Sequence, residues 1–192
     1  IWEWDIIANQ TLWNDRMFEL YGLDPASTQV DYGVWERGVH PEDRPRAAAE
    51  IVAAMEGRVE FNTQFRVLRP DGTVKVLKAS ALVRRDDRGK PLAMYGLNRD
   101  VTDEVRVQRE LQELNAYFEA SMAQSQVGVL IVEAPSGKIK FCNDAALAIR
   151  GGARKELVEG VDVTHYDPWR IVELNGTPID SERTPLSRSI LT

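Results

Sequence analysis

Trp13-Asn14-Asp15-Arg16-Met17-Phe18-Glu19-Leu20-Tyr21-Gly22 has a counterpart 129 residues later, Cys142-Asn143-Asp144-Ala145-Ala146-Leu147-Ala148-Ile149-Arg150-Gly151. One offset relates both Asn-Asp pairs and both glycines. Residues 16–21 and 145–150 read as short helices. Upstream of each lie two short apolar stretches separated by a turn, 1–7 and 11–13 in one case, 127–132 and 138–142 in the other. The same order of strand, turn, strand, Asn-Asp, helix and Gly, met twice, predicts two copies of one domain.

The first copy reads as a complete mixed domain over residues 1–102. Residues 2–7 and 11–14 form a hairpin, and 16–57 is helical or irregular. Asp43 is placed to cap a helix with Pro45 in its first turn. Ala48, Ile51, Val52 and Met55 recur at helical spacing, and Gly57 ends the run. Three strands follow. In 60–68 the residues Phe61, Thr63, Phe65 and Val67 share one face. Pro70-Asp71-Gly72-Thr73 turns the chain into 74–85, and Asp87-Arg88-Gly89-Lys90 turns it again into 91–101. The predicted fold class is α+β, a five-stranded antiparallel sheet with helices packed on one face.

A linker helix is predicted over 103–121. Thr102 caps it, and Asp103 and Glu104 suit its positive end. Val107, Leu111, Leu114 and Phe118 are spaced 4, 3, 4, an a/d stripe. Arg106–Glu110 and Arg109–Glu113 are i,i+4 pairs on the other face. A helix of this length is marginal alone, so its stripe needs a partner: the same helix of a second chain, or the sheet of its own domain. The second copy occupies 122–192. After Gly160 it reads as irregular over 162–169, extended over 171–174, and turned at Asn175-Gly176. No counterpart of the last three strands of copy one follows. The second copy is therefore expected to be truncated, with Val129, Ile131 and Phe141 in need of further chain or a partner.

These residues resemble the PAS sensor family. Copy one is similar to the subtype with paired tryptophans in its first strand. The resemblance rests on Trp2-Glu3-Trp4-Asp5, Trp13-Asn14, Gly22, His40-Pro41-Glu42-Asp43, Phe61, Phe65-Arg66, Asp71-Gly72, Gly96 and Asp100-Val101-Thr102. The last resembles the Asp-Ile-Thr signature that ends the final strand of such domains. In copy two Gly128-Val129, Asn143-Asp144-Ala145-Ala146, Gly160, Asn175-Gly176-Thr177-Pro178 and Pro185-Leu186-Ser187-Arg188 resemble another PAS domain. The resemblance implies a sensory input module that signals through a helical linker to an output domain in the same polypeptide. A sensor histidine kinase is the expected output. A diguanylate cyclase, or a ligand-free dimerisation module, is the alternative. Asp100, Thr102, Val107, Leu111, Leu114 and Phe118 form the expected signalling linker. Because the family signals through paired helices and the spacing is 4-3-4, a parallel homodimer is the expected partner.

Composition bounds the rest. The chain has 192 residues, 43% hydrophobic and 28% charged, with a net charge of −6. That is globular, and the acidic balance argues against a nucleic-acid binder. One cysteine, Cys142, allows neither an intrachain disulfide nor a Cys-rich zinc site. No apolar run approaches the ~20 residues of a membrane helix, and a cytoplasmic location is expected. No phosphate-binding glycine loop is present, and no nucleophile–base arrangement is visible, so no catalytic residue is assigned within the chain. His40 with Glu42 and Asp43 reads as a helix start. His165 among Asp162, Tyr166 and Asp167 reads as a loop histidine. Neither supplies the four converging ligands of a metal site.

Flavin and haem are not expected. Cys142 precedes Asn143 on a strand, unlike the Asn-Cys-Arg helix motif of blue-light PAS domains, and nothing places His40 on a pocket-lining helix. Cys142 is expected to be a half-buried packing residue. The aromatic set Trp2, Trp4, Trp13, Phe18, Trp35, Phe61 and Phe65 is the candidate pocket for an unidentified small molecule. Core packing of the same rings is the default reading, and the ligand pocket is the alternative to it. Finally, 58–90 carries nine basic and four acidic residues, read as a solvated basic strand face.

Overall fold

Two strands and a helix open the chain because three local signals agree. β1 (Trp2–Asp5) and β2 (Gln10–Trp13) pair antiparallel, Trp2 opposite Trp13 and Trp4 opposite Thr11. Asn14 then caps α1 (Asp15–Tyr21), its side chain accepting from the Met17 N–H. Gly22 closes that helix at φ +68°, a left-handed cap that L side chains rarely adopt, and the Leu23 N–H bonds back to the Phe18 carbonyl. The computed structural model describes residues 1–151 and, beyond them, 172–173, 175–180, 183 and 188. The readings at Gly160, 162–169 with His165, Ile171 and 185–187 lie outside the described residues.

Two further helices lie between Gly22 and the remaining strands. α2 (Tyr32–Gly38) starts at Asp31, whose carboxylate accepts from the Val34 N–H. α3 (Arg44–Met55) has Pro45 in its first turn. Asp43 sits at its N-cap position, yet its side chain makes no cap bond. The carboxylate is taken instead by Arg66 of the sheet, at 2.7 Å from Nη2 and 3.1 Å from Nε, and by the Arg66 N–H at 2.8 Å. The buried stripe of α3 is Ala47, Ile51 and Ala54, while Val52 is exposed. The expected stripe is thus rotated, because the small alanines fit the close approach to the sheet.

β3 (Phe61–Leu68), β4 (Val74–Arg85) and β5 (Pro91–Asp100) complete a five-stranded antiparallel sheet of order β2-β1-β5-β4-β3. The alternation in β3 is as expected, with Phe61, Thr63, Phe65 and Val67 buried. Their β4 partners Ala81, Ala79, Leu77 and Lys75 share that face. Phe65, Val67, Leu77, Ala79 and Met94 form the floor on which Met17, Leu20, Tyr21, Ala47 and Ile51 pack. At 1.5–3 kcal/mol for each fully buried large apolar side chain, this layer dominates the domain's stability.

The basic run 58–90 is less solvated than its composition suggests. Arg69 donates to the Leu20 and Glu19 carbonyls at the end of α1. Arg85 donates to Ala54 and Met55 at the end of α3. Arg66 holds the start of α3, and Lys75 pairs with Asp100. Arg66, Arg69 and Arg85 fasten helix ends to the sheet, with Arg69 and Arg85 at the carbonyl ends that the macrodipole favours for cations, and Lys75 joins β4 to the end of β5.

α4 (Thr102–Gln124) leaves β5 and has no buried residue. It starts one residue earlier and ends three later than predicted, and Thr102 is not its cap. The Val105 N–H bonds to the Val101 carbonyl, which makes Val101 the flanking residue. The chain divides into two compact units, 1–110 and 111–192, at a point inside α4.

The second unit repeats the opening of the first. β6 (Leu130–Glu133) and β7 (Lys138–Cys142) pair antiparallel, and Asn143 caps α5 (Asp144–Arg150) as Asn14 caps α1. Gly151 follows at φ +69°. Here the Asn is buried and fully bonded. Its oxygen accepts from Val129 and Ala146, and its amide donates to the Met122 and Val127 carbonyls. Cys142 is wholly buried rather than half-buried, beside Ile139 and Ala146. Phe141 packs edge-on against Phe118, with centroids 5.0 Å apart, so one residue of the predicted α4 stripe covers this unit's strand. The Asn175-Gly176 turn is present, with the Glu173 N–H bonded to the Thr177 carbonyl.

The Asp43–Arg66 clamp predicts a pH response. Arg66 holds the Asp43 carboxyl at about 2, below its ordinary 3.8. A carboxyl depressed in the folded state stabilises above its unfolded value and loses that contribution as pH falls from about 4 through 2. Asp43→Asn is expected to cost about 1–2 kcal/mol at pH 7 and to flatten the loss between pH 4 and 2. Urea unfolding followed by tryptophan fluorescence checks both; four of the five tryptophans lie in the first unit.

Candidate functional site

Between the helices and the inner face of the sheet lies a cleft walled by aromatic rings. Trp2, Trp4, Trp13, Trp35, Phe61 and Phe65, six of the seven predicted aromatics, line it. Phe18 does not. It packs edge-on against Trp13 at 5.6 Å and lines a separate shallow surface pocket with Gly22 and Arg69. The helical position that points into the cleft from α1 is Met17, one residue earlier.

Register puts these side chains together. β1 pairs with β5, with Trp2 opposite Gly96 and Trp4 opposite Met94. Trp2 lies across Gly96 so closely that an added Cβ would stand 2.3 Å from its ring and 2.8 Å from the Ser80 carbonyl. From there the wall runs as a chain of contacting rings, Trp4 to Tyr32 at 5.1 Å, Tyr32 to Trp35 at 5.1 Å and Trp35 to Phe65 at 6.1 Å. Tilted and edge-on pairs of this kind add to the burial energy of the rings.

Sequence reasoning missed the partners that are not predicted aromatics. Thr11, Met17, Tyr32, Ile51, Ala79, Met94 and Asn98 complete the lining. Asn98 matters most, because it is polar on an inward position of the central strand. It accepts the Trp2 indole N–H at 2.9 Å. The Trp4 indole N–H is taken by Asn9 at 3.2 Å, a residue held at φ +50°. No lining residue carries a charge. The empty space is about 430 Å³ including the open mouth, but only about 40 Å³ of it admits the centre of a water-sized body. That is room for about three waters, so rings fill most of the enclosed part.

Two residues beyond Asn98, β5 ends at Asp100, and α4 starts at Thr102, the first two of the predicted signalling residues. Asp100 binds Lys75 Nζ at 2.5 Å and accepts from both the N–H and the hydroxyl of Thr102. The Thr102 hydroxyl in turn accepts the Val76 N–H at 2.9 Å, and the Val76 carbonyl accepts the Val101 N–H. Burial raises the Asp100 carboxyl, but Lys75 and Thr102 outweigh it and hold it at about 2. Further along α4, Val107, Leu111 and Leu114 are exposed among the described residues.

His40 sits where α3 begins, its N–H bonded to the Arg66 carbonyl. Among the described residues no group of His, Cys, Asp and Glu is arranged to hold a metal ion. Among them, too, no helix is long and apolar enough to cross a membrane.

Against known proteins, residues 10–98 match the PAS fold family and residues 116–180 match the PAS domain family. The chain belongs to the PAS family. The two PAS matches lie in tandem, as the internal repeat predicts. Over all of its length the chain is similar, at 26% identity, to the probable diguanylate cyclase DgcE of Escherichia coli, of which it spans 17%. Over 88% of its length it is similar, at 22% identity, to the sensor protein FixL of Bradyrhizobium diazoefficiens, of which it spans 33%. A solved sensory box histidine kinase/response regulator from Burkholderia thailandensis superposes with a TM-score of 0.55 at 21% identity, over 62% of this chain and 88% of that one. At that identity the likeness is one of fold. The chain is thus a pair of PAS input domains, similar to those of kinase and cyclase sensors.

Gly96 is the most demanding position of the first PAS domain's cleft. Gly96→Ala is expected to displace Trp2, break its bond to Asn98 and cost about 1–3 kcal/mol. Denaturant unfolding and the tryptophan emission maximum report the two effects together.

Proposed function

We propose that the first PAS domain senses a small molecule in the aromatic cleft and passes the change along β5 into α4. The observation that carries this reading is continuity. Met94 and Asn98 stand in the cleft wall, and the same strand ends at the Asp100–Thr102 junction from which the helix starts. A guest that moves Trp2 pulls on Asn98, and β5 is paired on both sides, so the shift goes along the strand rather than into a loop.

On this reading α4 works as one of a pair in a homodimer. Val107, Leu111 and Leu114 are exposed among the described residues, and an amphipathic helix of this kind is well stabilised by a copy of itself. Phe118, next on the stripe, is packed on Phe141. The output lies in an enzyme domain of the longer protein. Similarity over the whole tandem to a probable diguanylate cyclase favours a cyclase; a sensor histidine kinase, the output expected from the sequence, is the other outcome of the test. Formation of a cyclic dinucleotide from GTP by the full-length protein identifies the first, and autophosphorylation from ATP the second.

Leu114→Lys tests the pairing. It sets two like charges in one seam and is expected to weaken self-association at least tenfold in sedimentation across a concentration series, and to disconnect output from input. A wild-type chain that stays monomeric throughout, or a variant that dimerises equally well, contradicts it.

A further inference from the structure

An antiparallel sheet with helices on one face ordinarily turns polar side chains outward on the other. In the first PAS domain Trp2, Phe61 and Ala81 pack toward the helices, so their strand neighbours look away from them. One row of that outer face runs Leu12, Glu3, Tyr95, Leu82 across β2, β1, β5 and β4. Leu97 stands one row on, opposite Ser80. Among the described residues Leu82 is 76% exposed, Leu12 70%, Leu97 52% and Tyr95 38%. A single exposed leucine is ordinary. Four large apolar side chains across adjacent strands form a patch, and such patches mark interaction surfaces.

The charges around the patch are sorted by strand. The acids of this face, Glu3 and Asp5, are both on β1. Its bases are Lys78 and Arg84 on β4, Arg99 on β5 and Arg66 on β3. β5 is the middle strand, so the acids lie on one side of it and Lys78 and Arg84 on the other. The rows are balanced about it too. Asp5 and Arg84 both pair with Ala93, and Glu3 and Leu82 both pair with Tyr95. Two copies of such a face can meet about a two-fold axis in two ways. An axis across the strands lays β1 on β1 and β4 on β4, and like charges meet at a cost. An axis along β5 lays β1 of one copy on β4 of the other. Asp5 then falls over Arg84 of the partner subunit, and Arg84 over the partner's Asp5. Tyr95 and Leu97 of both copies meet at the axis, and Glu3 lies over the partner's Leu82. Sheets packed with their strands aligned stand about 10 Å apart, a gap that leucine and tyrosine side chains from both faces fill.

We propose that the outer sheet face of the first PAS domain is a self-complementary interface for a second copy of this chain, with its two-fold axis along β5. The apolar row supplies the buried centre, Tyr95 is of the type enriched in such centres, and the sorted charges select the orientation. The α4 stripe is a different surface, and each pairing stands or falls without the other.

Cysteine cross-linking of the full chain reads the orientation. Asp5 also holds the β1–β2 turn by accepting from the Ile7 and Ala8 N–H groups, so the test uses the Glu3–Leu82 row instead; the native Cys142 is buried. A mixture of Glu3→Cys and Leu82→Cys chains is expected to form disulfides between the two kinds of chain at least tenfold faster than either variant forms them with itself. Self-linking as fast as mixed linking, or no linking in the mixture, overturns the proposal. Leu97→Lys sets two like charges at the axis on a residue outside the core. It is expected to weaken self-association at least tenfold in sedimentation while unfolding at the wild-type temperature. A Leu97→Lys chain that associates as wild type does, when Leu114→Lys does not, overturns the sheet interface and leaves the pairing of α4. The reverse pattern overturns the pairing of α4 and supports the sheet interface.

Discussion

The Thr102 hydroxyl joins a sheet to a helix. It accepts the Val76 N–H and donates to Asp100, which is itself fixed by Lys75. With the Val101 N–H on the Val76 carbonyl, the β4–β5 ladder continues past the end of the strand and into the first turn of α4. A strand that passed into a helix through an unbonded residue would let the two elements turn independently. Here the backbone groups at the crossing are paired, and the carboxylate beneath them stays ionised because its partners outweigh its burial. The direction in which α4 leaves the domain is therefore a property of the sheet.

The same logic runs through the domain's other contacts. The cleft is built on β5 and β1, and Gly96 exists to let Trp2 lie flat between them. α1 and α3 are tied to the sheet by Arg69, Arg85 and Arg66. Between these ties lies the aromatic layer, whose rings touch one another and carry few polar anchors. Asn98, in the cleft wall, stands two residues before the end of β5 and four before the start of α4 at Thr102. In the second domain Asn143 plays a comparable part, binding the carbonyls of Met122 and Val127 to the corner where β7 meets α5.

Much of this was legible in the sequence, where the signals are local. The Asn-Asp repeat, the Asp-Gly and Arg-Gly turns and the alternation from Phe61 to Val67 all act within a few residues, and each appears as read. So does the tandem organisation. The losses come from tertiary competition. Asp43 has the right identity for a cap, but a guanidinium across the domain offers its carboxylate a stronger bond. Phe18 is aromatic like its companions, yet helix geometry turns Met17 inward and leaves Phe18 outside. Asn98, Tyr32 and Met94 join the cleft through strand register and helix placement that no single segment encodes. The basic run 58–90 read as solvated because composition does not reveal which helix ends lie within reach. Phe118 belongs to the stripe by spacing and to the second domain by contact.

Hydrogen exchange at Val76 and in the first turn of α4 tests the junction most directly. In Thr102→Val the shape of the side chain is kept, but the Val76 N–H has no acceptor and Asp100 loses a donor. The account predicts at least tenfold faster exchange at Val76 and at Val105 and Arg106, with β1 and β2 unchanged. Exchange at Val76 and through Arg106 that matches wild type would contradict it, and the helix would then leave the sheet without being held by it.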